Sequence, residues 1–312
     1  MKLERLLWEA RRRLLSRFVA SLSAHRRRTL TWRLMGDTGI RSVAFERNGL
    51  VWNIRPHDDI GWSLFVKGGY QVAEIQALQD WMSRSGVLTG TRNVVIDAGA
   101  NIGTTCVPLV HQTGCRALAI EPVRDNFRYL RRNVESNGLS DRIVLANKAI
   151  ARTPGILKMC LTEGASGGHF VARGSGREVP DHVITGYEEV EADTLAGIVA
   201  SAGLSVDEIA LVWADVQGCE LDVIESGSAL WERGVPLWAE VEPRSLRRQG
   251  TLEVFARAAA AHFDRFIDAG DLMRSGEKAV PRPMREFEGL IEGITPEQIN
   301  TDVLLLPPGI RG

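Results

Sequence analysis

Val94-Val95-Ile96-Asp97-Ala98-Gly99-Ala100-Asn101-Ile102-Gly103 is the stretch on which the fold turns. A β-branched run, Asn93–Asp97, ends in an acid, two glycines follow, and a helical pattern opens at residue 103. Gly99 lets the chain turn sharply off a strand, and Gly103 lets the helix start approach that strand closely. With no side chain at either position, a ligand can lie against the backbone. Ligands of open α/β sheets sit beyond the carboxyl ends of the strands, so a cofactor is expected here. The pattern is G-x-N-x-G and not G-x-G-x-x-G, which counts against NAD and FAD.

Working outward, apolar strand runs alternate with helical periods. After Asn93–Asp97 come Cys115–Glu121, Arg142–Asn147, Glu208–Asp215, Pro236–Glu242, Arg265–Asp268 and Asp302–Leu306, with helices predicted over 103–112, 124–137, 193–202, 219–232 and 251–262. Such alternation implies an α/β fold: one seven-stranded, mostly parallel sheet with helices on both faces. Upstream, apolar spacing predicts helices over 3–22 and 70–84. Asn48-Gly49 predicts a hairpin turn between strands 41–48 and 50–55. The chain therefore reads as an N-terminal extension of basic helix and β-hairpin (1–67) followed by one large domain (68–312). The glycine-rich segment 161–187 has no helical period and reads as a long functional loop. Residues 269–301 read as a surface excursion. The extension, the 161–187 loop and this excursion are expected to build an acceptor pocket.

Glu121 closes the second strand, 24 residues after Asp97. A carboxylate at that strand end can accept hydrogen bonds from both hydroxyls of a ribose. Together with G-x-N-x-G it points to an adenosyl cofactor; its lesser alternative is a solvated strand-end acid that caps the next helix.

VVIDAGANIGTTCVPL, AIEPVRDNFRYLRRNVESNG, the third strand ending NKAI, VEADTL, and ADVQGCELDVIESGSALW occur in order over roughly residues 68–245. In that order they resemble the FkbM family of methyltransferases. The resemblance implies a class I, Rossmann-like methyltransferase fold and S-adenosylmethionine as donor. It also implies methylation of a hydroxyl on a sugar, glycolipid or other secondary metabolite. It assigns cofactor contacts to Asp97, Gly99, Asn101 and Gly103, the ribose to Glu121, and further contacts to Asn126, Asn147 and Ala149. Glu74 corresponds to an upstream acid that meets the methionine amino group. The family's commonest fourth-strand form is K-x-D-x-E-G-x-E; here Trp213 and Gln217 stand where that form has lysine and the first glutamate.

Asp215, at the end of the fourth strand, is the candidate catalytic base or orienter of the acceptor hydroxyl; its structural alternative is to cap the helix that follows. His169 is a second candidate base, or an ordinary loop histidine. Glu240 and Glu242 line an acceptor pocket or, with Asp215, offer oxygen ligands to a divalent ion; no metal is the preferred reading. Trp213 reads as a core residue.

Charge is uneven. Residues 1–34 hold ten Lys or Arg against two acids, +8, and the remaining residues carry −9. The acidic body and the absence of a D/N-P-P-Y motif, where DVQG stands, argue against nucleic acid as substrate. The basic segment suits peripheral contact with an anionic membrane or another subunit. An alternative function follows, a membrane- or complex-docked module on a cofactor-fold scaffold. Four scattered cysteines without C-x-x-C spacing read as reduced thiols rather than a zinc site. No secretory signal is expected, and the expected location is cytoplasmic, peripheral at the inner membrane surface if the arm binds lipid.

Overall fold

The computed structural model describes residues 12, 16, 19–173, 183–295 and 297–310. It divides into two units, residues 1–70 and 71–312. Most of the helix expected over 3–22 lies outside the described residues.

In the first unit, α1 (Ala24–Asp37) is capped by Ser23, whose hydroxyl accepts the Arg26 N–H. The expected hairpin is present as β1 (Val43–Arg47) and β2 (Leu50–Ile54). Asn48 and Gly49 carry it with φ of 53° and 76°, the left-handed pair that matches strand twist. A short helix, α2 (Asp59–Trp62), runs on into a π turn over Ser63–Lys67. Trp32 of α1 packs on Phe65 of that turn, and Phe45 of β1 meets Phe65 edge-on at 5.0 Å.

The second unit opens with α3 (Val72–Ser85) and then alternates strand and helix. In chain order these are β3 (Val94–Ala98), α4 (Cys106–Thr113), β4 (Arg116–Ile120), α5 (Arg124–Ser136) and β5 (Ile143–Ala146). After an insertion come α6 (Leu195–Ser201), β10 (Ile209–Ala214), α7 (Glu220–Ser226), α8 (Ser228–Trp231) and β11 (Leu237–Val241). The chain ends with α9 (Pro243–Gln249), α10 (Leu252–Ala260), β12 (Arg265–Asp268), α11 (Ala269–Ser275), β13 (Arg282–Pro283), α12 (Phe287–Glu292) and β14 (Thr301–Leu306). The main sheet has the order β13-β12-β14-β11-β10-β3-β4-β5. β11, β10, β3, β4 and β5 run parallel, and β14 is antiparallel to both its neighbours. Every residue of β3 and of β10 is buried, as a parallel sheet covered on both faces requires. Each Val, Ile or Leu so placed contributes about 1.5–3 kcal/mol.

Three expectations need correction. The sheet has eight strands, not seven, because the two-residue β13 adds an edge to β12. The 161–187 segment is not structureless. Its ends belong to β7 (Gly155–Thr162), β8 (Phe170–Val171) and β9 (Ile184–Asp193), which with β6 (Ala149–Ile150) form a second sheet of order β6-β9-β7-β8. The signal was a strand period: Val190 and Ala192 turn inward while Glu189 and Glu191 stay exposed. Nor is 269–301 merely an excursion, since Leu272, Met284, Phe287 and Ile291 are buried, with Phe287 against Phe255 and Phe266.

Candidate active site

Five parallel strands end on one side of the sheet, and there the loops open a cleft. It measures about 560 Å³ with its mouth included, within the range of small-molecule sites. Its floor is set by close backbone approach. A Cβ on Gly99 would stand 1.9 Å from the carbonyl oxygen of Asp215, so only glycine, here with φ of 86°, lets the ends of β3 and β10 meet. Asp97 does not line the cleft. Its buried carboxylate accepts the Cys106 N–H at 3.0 Å and fixes the start of α4; burial pushes its pKa up to about 7. Gly103 is likewise a packing position, since a Cβ there would press on Val107 and Leu130.

Glu121 reaches the cleft from the end of β4. Its Oε2 accepts the Asn101 N–H at 2.9 Å and its Oε1 the Val123 N–H at 2.8 Å, so backbone amides on both sides aim the carboxylate. Asn101 and Asn126 also line the cleft, and both amide groups grip one atom, the backbone oxygen of Ser166, at 2.9 and 3.1 Å. They thereby hold the Ser166–Gly168 turn as a cleft wall. Ala149 lines the cleft with Lys148 and Ile150. Asn147 stands behind it, donating to the Glu121 and Pro122 carbonyls at 2.8 and 2.9 Å.

His169 follows that turn. Its Nδ1 accepts the Thr162 N–H at 3.1 Å, so in the neutral ring the hydrogen-bond network puts the proton on Nε2. That tautomer makes Nε2 a donor rather than a base.

Behind Asp215, which lines the other end of the cleft, lies a group of acids. Asp215 follows β10, Glu240 lies on β11, and Asp302 lies on β14. Gln217 Nε2 donates to Asp215 Oδ1 at 2.8 Å and to Glu240 Oε2 at 3.1 Å. Gln71 Nε2 makes a long 3.5 Å contact to Asp215 Oδ2, and Asn300 Nδ2 donates to Glu240 Oε1. Burial first, then the neighbouring negative charges, raises the pKa of Glu240 well above the usual carboxylate range. Burial also raises that of Asp215. Asp302 is pushed up to about 7 by burial and the charge of Asp215. Glu242 accepts a hydrogen bond from the Ser245 hydroxyl. Glu74 does not line the cleft; it lies within electrostatic range of Asp302. Trp213 is buried and stacked on Trp238 at 5.0 Å, and Trp238 Nε1 donates to Asp302.

A sequence model described as the methyltransferase FkbM domain matches residues 97–265, more than half of the chain. The chain belongs to the FkbM methyltransferase family. Its sheet is that of a class I, Rossmann-like methyltransferase, and S-adenosylmethionine is its methyl donor. No curated protein matches this FkbM-family chain in sequence. Among solved structures it is similar to TYW2 of P. horikoshii in complex with MeSAdo, at 12% identity and a TM-score of 0.43, covering 90% of this chain and 81% of that one. It is also similar to geranyl diphosphate C-methyltransferase of Streptomyces coelicolor A3(2) in complex with Mg2+, geranyl diphosphate and S-adenosyl-L-homocysteine. That match has 12% identity and a TM-score of 0.38, covering 74% and 79% of the two chains. TYW2 of M. jannaschii in complex with AdoMet, whose TM-score is 0.38, covers 86% and 85%.

The cleft of the FkbM chain fits the donor. Glycine at 99 leaves backbone exposed to a ligand, Glu121 supplies an aimed carboxylate, and Ile120, Val123, Ile150 and Met159 supply apolar walls. Motif spacing did not reveal Ser166 or Asn300, whose partners lie 65 and 60 residues away in sequence, nor that Gln217, already distinct from the family's common form, reaches Glu240 23 residues on.

Proposed function

We propose that the protein methylates a hydroxyl group on a sugar, glycolipid or other secondary metabolite. One observation carries the reading: Asp215 stands in the cleft wall against Gly99, at the end of the strand beside β3. Bound there, S-adenosylmethionine supplies an electrophilic methyl already activated for displacement. The chain's task is to place the acceptor oxygen in line and to take its proton. Glu121, with Gly99 and the Ser166 wall, would hold the adenosyl end. Asp215 would orient the hydroxyl and accept its proton at Oδ2, because Oδ1 is engaged by Gln217. An ordinary aspartate is a weak base for an alcohol, but burial has already moved this one upward, toward the working pH.

The test is methyl transfer from 13C-labelled S-adenosylmethionine to a panel of sugars, glycolipids and hydroxylated secondary metabolites. The expected product carries its label as O–CH3, and Asp215→Asn should lower the rate about 100-fold or more. A label on nitrogen or carbon, or an Asp215→Asn enzyme as fast as the native one, would sink the proposal.

A further inference from the structure

Gln217 sits where no strand or helix geometry demands a side-chain amide, yet both its amide hydrogens are directed at carboxylates on two adjacent strands. Its φ of 54° lies in the left-handed region, which a side chain of this size seldom occupies unless its surroundings enforce it. They do so here. Gly218 behind it is pressed against the carbonyl of Ser245, and Arg248 Nη2 donates to the Gln217 carbonyl at 3.2 Å. Arg248 thus braces the backbone of Gln217 while the Gln217 amide meets the two carboxylates.

We propose that Gln217 is a positioning residue that clamps Asp215 and Glu240 into one pair and sets how much negative charge that pair presents to the cofactor sulfur. The proposal rests on the function proposed above: if Asp215 orients a hydroxyl that attacks the methyl in line, the sulfur that carries that methyl lies on the same side of the cleft. A neutral amide donates to both carboxylates without adding charge, so the pair can keep one shared proton or lose it within the working range. Glutamate at the same position would bring a third carboxylate and no donor. Around the pair stand Glu242 between β11 and α9, Asp302 from β14, Asp97 from β3, Glu220 from α7 and, through Asp302, Glu74 from α3. All are acids, so each adds to the cost of ionising the pair, and Gln71, Gln217 and Asn300 oppose that cost with hydrogen bonds.

S-adenosylmethionine carries a sulfonium and S-adenosylhomocysteine a neutral thioether, so the ratio of their affinities reads the local charge. Calorimetric titration of the full chain with each ligand from pH 5.5 to 8.5 should show the preference for S-adenosylmethionine rising through one inflection. In Gln217→Ala that inflection should move up by about one pH unit, because hydrogen bonds to the ionised form are lost. Gln217→Glu should move it further in the same direction, and Glu240→Gln should move it down. Thermal melts identify any variant that fails to fold. An inflection unchanged in Gln217→Ala, while Asp215→Asn abolishes it, would overturn the role of Gln217 alone. A ratio insensitive to pH and to Asp215→Asn would overturn the sulfur's placement as well.

Discussion

The two ends of the cleft are built on different physical terms. At the β3–β4 end, Glu121 is held by the backbone amides of Asn101 and Val123, groups that the local turns place wherever the motif folds. At the β10–β11 end, Asp215 and Glu240 are held by side-chain amides from Gln217, Gln71 and Asn300; apart from the local Gln217–Asp215 contact, only the assembled fold brings these groups together. No substitution short of proline removes a backbone donor, so these two bonds to Glu121 survive most replacements at the donating positions. Side-chain donors are removed by single substitutions, so the charge at the second end depends on which side chains stand there.

The largest test of this contrast is pH. The pKa of Asp302 is raised from an ordinary 3.8 to about 7, so its contribution to stability is full below pH 4 and is lost as pH rises through 7. The loss is on the order of 4 kcal/mol. Asp302→Asn keeps an acceptor for Trp238 and should flatten urea unfolding between pH 4 and 8, leaving the variant more stable than the native chain at pH 8. A variant that keeps the native pH slope would show that the acids at this end are solvated.

Next in size is Gly99→Ala. A methyl group 1.9 Å from a carbonyl oxygen, at φ of 86°, should cost about 3 kcal/mol or more in a denaturant melt. A small cost would mean that the strand ends can part, and the fixed character of the cofactor end would go with it.

Glu121→Ala comes third. The native chain should gain about 2.7 kcal/mol of stability with S-adenosylhomocysteine at a hundredfold excess over its dissociation constant. The variant should lose most of that gain, with NAD giving none in either protein. An equal thermal shift in native and variant chains would remove Glu121 from the cofactor site.

Asn147→Ala is the smallest. Two hydrogen bonds to the Glu121 and Pro122 carbonyls are lost, a cost of about 1–2 kcal/mol. Cofactor affinity should fall less than twofold if Asn147 only braces the strand end, and a tenfold fall on calorimetry would make it a direct contact.

Much of this could be read along the chain. Asn48-Gly49 set its hairpin because both residues tolerate positive φ, and Arg265–Asp268 was bounded correctly by its apolar pair. The second sheet was missed because its strands flank a glycine-rich turn that masks a weak alternation in β9. Of the residues expected to touch the cofactor, Asp97 and Gly103 serve the turn itself. Their side-chain space is taken up by the start of α4 and by Leu130 of α5.

The sequence by itself determined the family, the parallel sheet and the position of the cofactor cleft. The strand–turn–helix motifs that signal them are local in the chain, although the β3–β10 pairing that completes the sheet joins distant segments. Only the tertiary structure decided which carboxylates share the acceptor end, what neutralises them, and that Asn101 and Asn126 meet on Ser166. These contacts join strands that the sheet order places side by side after long excursions of the chain. Burial, which shifts their proton affinity, exists only once the sheet has closed over them.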